Sequence, residues 1–331
     1  MRLLAVDDDP LILDLLPIVF KQADLPDITL ANNGSTALQH LRDPDVEYDC
    51  LLLDVEMPQM DGITLCERIR ALPRYRNTPI LMLTSVTDHT RIERAFAAGA
   101  NDYITKPFDV KEIVTRVRVA RRMSETTDLV PRLDPLDTTL STEAGHHAFD
   151  VSDPIRITHL SQLILPFSLG NYLSQLSRRR LDSCTIFATR VEGAEALFER
   201  CKTHEFAIAL NEVAEAITEV VDCSDMLMTY QGDGLFLSIL QGSEAPAWPN
   251  IEDQIHNVLD EGAAIYDDGT PMALSVSVGN PVIPNASRNQ RVKKTFDRAI
   301  GRALMREKSK AKQGRLTAAN RKAISPGVHL L

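Results

Sequence analysis

The sequence lacks paired cysteines and any long apolar run. Its five cysteines, at positions 50, 66, 184, 201 and 223, form no CxxC pair, so the sequence predicts neither a disulfide framework nor a zinc site. They lie within apolar or helical patterns, which favours reduced thiols in protein cores. No stretch reaches the roughly 18 apolar residues of a membrane span, and no charged and then apolar leader precedes the strand-like run that begins at Arg2. We therefore expect a cytoplasmic protein without a membrane partner.

Positive charge is also scarce. The 331 residues include 36 lysines and arginines against 46 aspartates and glutamates, which gives a net charge of −10 and a pI near 5.3. Such a balance argues against a surface that grips nucleic acid or anionic lipid as a whole, and nucleic acid is not expected as a partner. What the chain does have is 44% hydrophobic residues, enough to build the cores of two ordinary domains.

Residues 1–122 alternate short apolar runs with longer segments of helical period. The runs predict five strands, at residues 3–6, 28–31, 50–53, 80–83 and 102–104. Five such strand and helix units predict an α/β domain with a doubly wound, five-stranded parallel sheet. In sheets of this kind, ligands collect at the carboxyl ends of the strands.

Residues 123–155 differ in composition and form the second predicted region. They are rich in Thr, Ser, Asp and Pro and show no sustained period, which predicts a flexible linker. The adjacent His146 and His147 have no partner at metal-ligand spacing and are expected to be solvated.

Residues 156–331 return to apolar patterning and predict a second α/β domain. Helices are predicted near 159–179, 192–203 and 205–221 and from about 292, with Pro166 and Gly170 expected to break the first of them. Strands are predicted at 184–189, 226–230, 235–240 and 273–278. Because a short Gln-Gly-Asp-Gly turn joins two of these strands, the second sheet is expected to be mainly antiparallel.

Acidic residues mark the ends of two strands in the first domain. Asp7 and Asp8 follow the first strand and Asp54 follows the third, whereas Asp9, next to Pro10, is predicted to cap a helix. The carboxyl ends of parallel strands share one edge of the sheet, so the carboxylates should converge there. Clustered carboxylates are costly unless a cation neutralises them, and a site with only oxygen donors suits Mg²⁺.

Thr84 and Lys106 follow the fourth and fifth strands and add a hydroxyl and an ammonium at the same edge. Both groups are suited to holding phosphoryl oxygens. Together with the carboxylates, they indicate a site for phosphoryl chemistry.

Four motifs carry a resemblance to a known family: VDDDP, LLLDVEMPQMDG, PILMLTS and GANDYITKPF, in that order along the chain. They resemble the CheY-like receiver domain of two-component response regulators across the whole first domain. The resemblance implies that Asp54 is the phospho-acceptor and that Lys106 pairs with the phosphoryl group. Thr84 would move to hydrogen-bond the phosphoryl group, and Tyr103 would be the aromatic switch coupled to it.

The same resemblance implies the metal ligands and the phosphoryl donor. Asp8, Asp54 and the backbone carbonyl of Glu56 would hold Mg²⁺, with Asp7 assisting through water. The peptide bond between Lys106 and Pro107 is commonly cis in this family. The donor would be a phosphohistidine on a sensor histidine kinase or a phosphotransfer protein.

The second domain resembles nucleotide cyclases over about residues 180–316. Residues 191–233 are similar to class III adenylate and guanylate cyclases, whereas residues 274–279 and 296–315 are similar to the end of the GGDEF diguanylate cyclases. Both families share a palm-like α/β fold with a mainly antiparallel sheet. Both hold two metal ions with two carboxylates on adjacent strands, and Asp233 matches one of the two.

The other carboxylate of the cyclase pattern is missing. Thr189 or Arg190 stands in its place, depending on the alignment, and Glu192 reaches it only in a shifted register. The sequence also has Gln-Gly-Asp-Gly-Leu where the diguanylate pattern has Gly-Gly-Asp-Glu-Phe, and a simple hairpin turn is the favoured interpretation of Gly232 and Asp233. Gly232, Asp233 and Glu192 are thus a possible remnant of a cyclase site.

The leading hypothesis is a response regulator whose catalytically inactive, cyclase-like output domain acts through protein contacts. A homodimer and an unidentified downstream protein are the expected partners in addition to the kinase. The alternative is a phosphorylation-controlled diguanylate, adenylate or guanylate cyclase in which Glu192 supplies the missing ligand.

Overall fold

The computed structural model describes most of the chain. It covers residues 1–23, 25, 27–85, 89–127, 130–139, 143–157, 160, 162–223, 226–242, 248, 250–262, 264–284 and 290–324. Within these residues, no helix combines the length and the apolar character that crossing a lipid bilayer requires.

The first part of the chain forms a five-stranded, wholly parallel sheet with the strand order β2-β1-β3-β4-β5. Its elements are, in chain order, β1 (Leu3–Val6), α1 (Pro10–Gln22), β2 (Ile28–Ala31), α2 (Gly34–Arg42), β3 (Cys50–Asp54), α3 (Gly62–Arg70), a 3-10 turn (Pro73–Tyr75), β4 (Ile80–Ser85), α4 (His89–Ala97), β5 (Asp102–Lys106) and α5 (Val110–Thr127). The predicted doubly wound parallel sheet is confirmed, and all five predicted strands begin at the predicted residue.

Burial explains why these strands read as continuous apolar runs. Every residue of β1 and β3 is buried, because helices cover both faces of a parallel sheet and leave no solvent side for alternating polar residues. Side chains of the sheet and of α1 and α5 form one core that includes Leu3, Leu52 and Ile113. The polar ends of the strands are therefore the places where the sequence is free to carry function.

Side-chain caps fix where the helices of this sheet begin. The carboxylate of Asp9 accepts a hydrogen bond from the backbone N–H of Leu11 and Pro10 is the first helical residue, so the predicted cap is confirmed. Asp61 accepts from the N–H of Thr64 at the start of α3. Both caps lie directly beside the carboxyl ends of β1 and β3, and they set the path of the two loops that leave the acidic edge.

The later part of the chain carries an antiparallel sheet with the strand order β11-β8-β10-β9. The elements from residue 132 onward are β6 (Arg132–Leu133), β7 (Arg156–Ile157), α6 (Pro166–Gln175), α7 (Arg178–Asp182), β8 (Cys184–Val191), α8 (Ala194–Arg200), α9 (Thr203–Val221), β9 (Met226–Tyr230), β10 (Leu235–Gln241), α10 (Ile251–Glu261), β11 (Val276–Val278) and α11 (Arg291–Ile324). The predicted antiparallel sheet is confirmed. The strand predicted at 273–278 is shorter than expected, because only its last three residues pair with β8.

The helix predicted over 159–179 is shorter and is broken at one of the two expected residues. It begins at Pro166, whose missing N–H costs nothing at the first helical position, and continues through Gly170 to Gln175. The break expected at Gly170 was wrong, since an isolated glycine lowers helix stability by only about 1 kcal/mol and tertiary packing overrides it.

The chain divides into two compact units whose boundaries differ from the predicted domains. One unit contains residues 1–132, 154–176 and 224–229, and the other contains residues 133–153, 177–223 and 230–331. The helix α6 thus belongs to the unit of the parallel sheet, although it was predicted to open the second domain.

Two further predictions differ from the structure: part of the segment that was predicted to be a flexible linker is packed, and His147 contacts other side chains rather than solvent alone. Its ring stacks on Phe198 with the centroids 3.8 Å apart, and its nitrogens contact the hydroxyl of Thr203 and the carbonyl of Phe198. The nearby ring of Phe149 also packs on Phe198. A polar composition concealed these contacts, because two aromatic side chains are enough to hold the segment on its unit.

We expect that His147→Ala will lower the free energy of unfolding of the second unit by about 1–3 kcal/mol, since it removes a stacked ring and two hydrogen bonds. Chemical denaturation gives this value, and amide hydrogen exchange of residues 143–153 should accelerate in the variant. His146→Ala is the matched control, because His146 is exposed. Equal stabilities for the two variants would contradict the packing of this segment.

Candidate functional site

The structure brings the three predicted carboxylates together at one edge of the parallel sheet. Asp7 and Asp8 follow β1, Asp54 is the last residue of β3, and one carboxylate oxygen from each lies within 4.8 Å of the others. Asp7 is fully buried and Asp54 is 3% exposed, whereas Asp8 is exposed to solvent. The site is therefore an acidic pocket with one open side.

Lys106, the last residue of β5, spans the two buried carboxylates. Its Nζ lies 2.7 Å from Oδ1 of Asp54 and 2.7 Å from Oδ2 of Asp7. Burial works against the charged ammonium, but the hydrogen bonds to Asp54 and Asp7 outweigh it and raise the pKa of Lys106. One ammonium against three carboxylates leaves the ionised pocket negative, which is an arrangement that attracts a cation.

The electrostatics of the pocket fall most heavily on Asp54. Burial raises the pKa of its carboxyl to about 6, and the hydrogen bond from Lys106 opposes this rise only in part. The neighbouring Asp7 and Asp8 push the pKa in the same direction as burial. A metal ion or another cation would offset this cost, so the donor chemistry and the charge of the pocket both fit Mg²⁺.

Gly62 allows the loop between β3 and α3 to lie close against β3. A Cβ at this position would lie 2.1 Å from the backbone oxygen of Asp54, so only glycine allows the close approach. The N–H of Gly62 donates to the carbonyl of Val55, which fixes the loop that carries Glu56. Gly62 belongs to one of the motifs of the sequence, but the motif alone does not show that the backbone of Asp54 lies this close.

The side chain of Glu56 points to partners other than the acidic trio. Its carboxylate accepts hydrogen bonds from the hydroxyl of Ser85 at 2.6 Å and from Arg91 at 2.8 Å. Its side-chain oxygens are thus engaged, which agrees with a ligand role for the backbone carbonyl rather than the carboxylate.

Thr84 and Tyr103 lie buried in the strands β4 and β5. Thr84 is 3% exposed, and its hydroxyl donates to the carbonyl of Ser85 at 3.3 Å. The Tyr103 ring packs edge-on to Phe96 with the centroids 6.3 Å apart, and Phe96 in turn packs edge-on to Tyr172 at 5.5 Å. The peptide bond between Lys106 and Pro107 is cis.

The residues of the presumed cyclase remnant do not form an acidic pocket of this kind. Glu192 is bound by Lys310 Nζ at 2.6 Å and by the hydroxyls of Ser277 and Ser275, and the hydrogen bonds from Lys310 and Ser277 lower its pKa against the effect of burial. Thr189 and Arg190 are the two residues that the alignments place where the cyclase pattern has its other carboxylate. Thr189 is fully buried, and Arg190 pairs with Glu307 at 3.6 Å.

Gly232 and Asp233 form a tight turn with positive φ angles, as the hairpin interpretation requires. The backbone N–H of Asp233 donates to the carbonyl of Val151, and a Cβ on Gly232 would lie 2.1 Å from the carbonyl oxygen of Ser152. The backbone of the turn is thus packed against residues 151–152, while the Asp233 side chain is exposed.

Comparison with known proteins identifies the first part of the chain. Residues 3–118 match the family model of the response regulator receiver domain. The chain is 39% identical over 133 residues to the DNA-binding dual master transcriptional regulator RpaA of Synechocystis, across 40% of this chain and 52% of that protein. It is 40% identical over 124 residues to the DNA-binding response regulator MtrA of Mycolicibacterium smegmatis, across 38% of this chain and 52% of that protein.

Solved structures match the same portion. The receiver domain of the Francisella response regulator 1452 is 29% identical and aligns with 37% of this chain and 98% of its own, with a TM-score of 0.34. The chain spans about half the length of the curated relatives that it matches. The N-terminal part of the chain is therefore a CheY-like response regulator receiver domain, as its motifs indicated. The matched family model ends at residue 118, so the cyclase resemblance of the later part stays a prediction.

We expect that Asp54→Asn will raise the free energy of unfolding by about 2 kcal/mol at pH 7.5 in EDTA. In metal-free protein, the Asp54 carboxyl has a pKa of about 6 in the folded state, whereas in the unfolded state it loses its proton near the usual aspartate pKa of 3.8. The folded state therefore binds more protons between these values, and its stability falls as the pH rises through this window and stays lower above it.

Urea denaturation from pH 3.5 to pH 7.5 measures this dependence. The control is Asp14→Asn, which changes an exposed carboxylate on α1 and should leave the pH dependence intact. A variant at Asp54 that is no more stable than the wild type at pH 7.5 would show that burial of this carboxylate is not costly.

Proposed function

We propose that the chain is a two-component response regulator in which Asp54 accepts a phosphoryl group from a phosphohistidine on a sensor histidine kinase or a phosphotransfer protein. The observation that carries the proposal is the bridging of Asp54 and Asp7 by Lys106 within a cluster of three carboxylates. If Asp54 only capped the end of its strand, it would need neither the ammonium of Lys106 nor the carboxylates of Asp7 and Asp8 beside it.

The chemistry follows from the groups in the pocket. A carboxylate oxygen of Asp54 attacks the phosphorus in line with the departing histidine nitrogen, and a mixed anhydride forms as the phosphorus–nitrogen bond breaks. Lys106 neutralises charge that spreads onto the phosphoryl oxygens, and Thr84 supplies a hydroxyl to one of them. Asp8, Asp54 and the carbonyl of Glu56, with Asp7 through water, would hold Mg²⁺, which supplies further neutralisation of the phosphoryl charge.

The signal leaves the pocket through the side chains that pack beside Tyr103. From Tyr103 the contacts run through Phe96 on α4 to Tyr172 on α6. The Tyr172 hydroxyl donates to Glu93 Oε1 at 2.6 Å. Movement of Thr84 and Tyr103 on phosphorylation would therefore change the packing of α6 on the receiver domain.

Other contacts also fix α6 to β5 and to the residue that precedes it. The Asn171 amide donates to the carbonyl of Asn101 at 3.2 Å, and the Gln175 amide donates to Asp102. The ion pair of Asp102 with Arg116 at 2.8 Å links this attachment to α5. The helix α6 is thus the element of this chain that is best placed to transmit a change in α4 and β5.

The later part of the chain acts in this proposal as a catalytically inactive, cyclase-like output domain. Two observations support inactivity. The ion pair with Lys310 occupies Glu192, the one candidate for the second metal-binding carboxylate, and the guanidinium of Arg190 cannot bind a cation. The output would then be a contact with a downstream protein or a rearranged homodimer. The alternative, an active cyclase that uses Glu192, requires the ion pair with Lys310 to open.

The descriptions of two relatives raise the question of DNA binding. RpaA and MtrA are both described as DNA-binding, but the alignments cover only 52% of each. The net charge of −10 still favours the prediction that this chain does not bind DNA through its surface as a whole.

We expect acetyl phosphate with Mg²⁺ to add one phosphoryl group to the wild-type protein and none to Asp54→Asn, because Asp54 is the acceptor in this proposal and Asp7, the other carboxylate that contacts Lys106, is fully buried. Intact-mass spectrometry measures the addition. Asp14→Asn, on the exposed side of α1, should be phosphorylated like the wild type.

Addition of ATP or GTP to the same samples tests the output domain. The proposal expects no cyclic nucleotide product with Mg²⁺ or Mn²⁺. Product that depends on both Asp54 and Glu192 would replace the inactive output domain with a phosphorylation-controlled cyclase, while phosphorylation of Asp54→Asn would overturn the assignment of the acceptor.

We expect Tyr172→Phe to weaken the attachment of α6 by about 1 kcal/mol, which corresponds to about fivefold faster amide exchange in residues 166–175. The variant loses the hydroxyl that Glu93 accepts and keeps the ring that packs on Phe96. In the wild type, acetyl phosphate should change exchange in this helix, and in Asp54→Asn it should not. Unchanged exchange in phosphorylated wild type would exclude α6 as the transmitter.

A further inference from the structure

A cavity of about 440 Å³ lies within the unit of the receiver domain, away from the acidic pocket. Its lining residues come from α3, the residues after the 3-10 turn, α4 and the residues that follow it, Arg132, and several of the described residues between Arg156 and Ser168. Among the described residues that line it, one carboxylate, that of Glu67, faces five arginines: Arg70, Arg76, Arg94, Arg132 and Arg156. So large an excess of positive charge is unusual in a chain whose net charge is −10.

Arg70 is structural, yet it leaves its charge uncompensated. Its guanidinium donates to the backbone carbonyls of Tyr75, Thr78 and Gly99 and to the amide oxygen of Asn101. These are neutral acceptors, and none of them is a carboxylate. The pKa of Arg70 is lowered by burial, as expected for a charge without a counter-ion.

Arg76 and Arg156 are more available for a ligand. The Nε of Arg76 is buried and has no hydrogen-bond partner among the described atoms, and neither Arg76 nor Arg156 forms an ion pair with a described residue. Burial, together with the charges of Arg70 and Arg76, lowers the pKa of Arg156 to about 10. Like charges thus lie close together in a partly buried cavity, and their repulsion and desolvation cost free energy until an anion binds.

Part of the cavity wall is apolar. It is formed by Ile157, Leu160, Leu163 and Leu165, together with Phe96 and alanines of the segment 97–100. Pockets for small molecules combine such a wall with a few convergent polar groups, and their volumes are commonly about 300–1,000 Å³. A volume of about 440 Å³ suits a small molecule, and the arginines among the lining residues favour one that carries negative charge.

We propose that this cavity binds the phosphate group of a small molecule, with Arg76 and Arg156 as the principal ligands. Arginine matches phosphate because its planar donors form paired, charge-assisted hydrogen bonds, and several arginines together favour a group with more than one negative charge. The apolar wall would hold the body of an organic phosphate. Inorganic pyrophosphate and a nucleotide both carry negatively charged phosphate groups, but only the nucleotide has an organic body that could contact the apolar wall.

Titration calorimetry in EDTA with pyrophosphate and, separately, with GTP tests the proposal. EDTA removes divalent metal, so that binding does not report on the acidic pocket. We expect at least one of the two probes to bind wild-type protein and to bind Arg156→Gln and Arg76→Gln at least about tenfold more weakly. Arg42→Gln is the matched control, since Arg42 is exposed at the end of α2 and does not line the cavity.

Thermal unfolding, measured without ligand and with the bound probe, provides a second readout. Without ligand, Arg156→Gln should unfold at the same or a higher temperature than the wild type, because it removes an uncompensated charge. The bound probe should raise the unfolding temperature of wild type and of Arg42→Gln, and leave that of Arg156→Gln unchanged.

Each outcome has a definite meaning. GTP binding that exceeds pyrophosphate binding identifies an organic phosphate, and equal binding identifies phosphate charge alone. Absence of binding of both probes up to about 10 mM, or equal affinity in wild type, Arg156→Gln and Arg76→Gln, would overturn the proposal. Neither result depends on Asp54, so failure here leaves the proposed acceptor untouched.

Discussion

The contact of Lys106 with Asp54 and Asp7 is the interaction on which the first part of this molecule depends. Three strands end at the same edge of the sheet, and each contributes a charge that would be unfavourable alone. Burial makes the acidic charge costly, and the single ammonium offsets only part of it, which leaves Asp54 with a raised pKa of about 6. The pocket is therefore a strained electrostatic site on a rigid sheet, and any cation or phosphoryl group that enters it acts on the whole edge.

Much of this arrangement could be predicted from the sequence, because in a parallel sheet the order of elements decides which residues meet. Asp7, Asp54 and Lys106 lie far apart in sequence, yet each follows a buried strand, and that position alone places them at one edge. The helix cap at Asp9 and the positions of the five strands could likewise be predicted from the local sequence. The structural role of Gly62 could not be predicted, because no pattern of hydrophobicity shows that the carbonyl oxygen of Asp54 lies too close for a Cβ at position 62.

The parts that could not be predicted depend on side chains from distant segments. The Tyr172–Glu93 hydrogen bond joins residues 79 positions apart, and the stacking of His147 on Phe198 converts a polar stretch into a packed one. Composition describes what a segment tends to do when alone, whereas these segments are held by one or two aromatic contacts. The arginines around the cavity are likewise scattered from residue 70 to residue 156, and no motif joins them.

The attachment of α6 has a consequence for how this receiver domain can be exchanged between proteins. Residues 154–176 lie in the same compact unit as residues 1–132, so the chain returns to complete a structure that its first 122 residues leave unfinished. A fragment cut at the end of the family match would lose the Tyr172 hydroxyl from Glu93 and expose the edge of Phe96. The receiver domain and α6 are therefore one structural unit, and a chimera that joins residues 1–118 alone to another output domain would leave out a helix that packs within that unit.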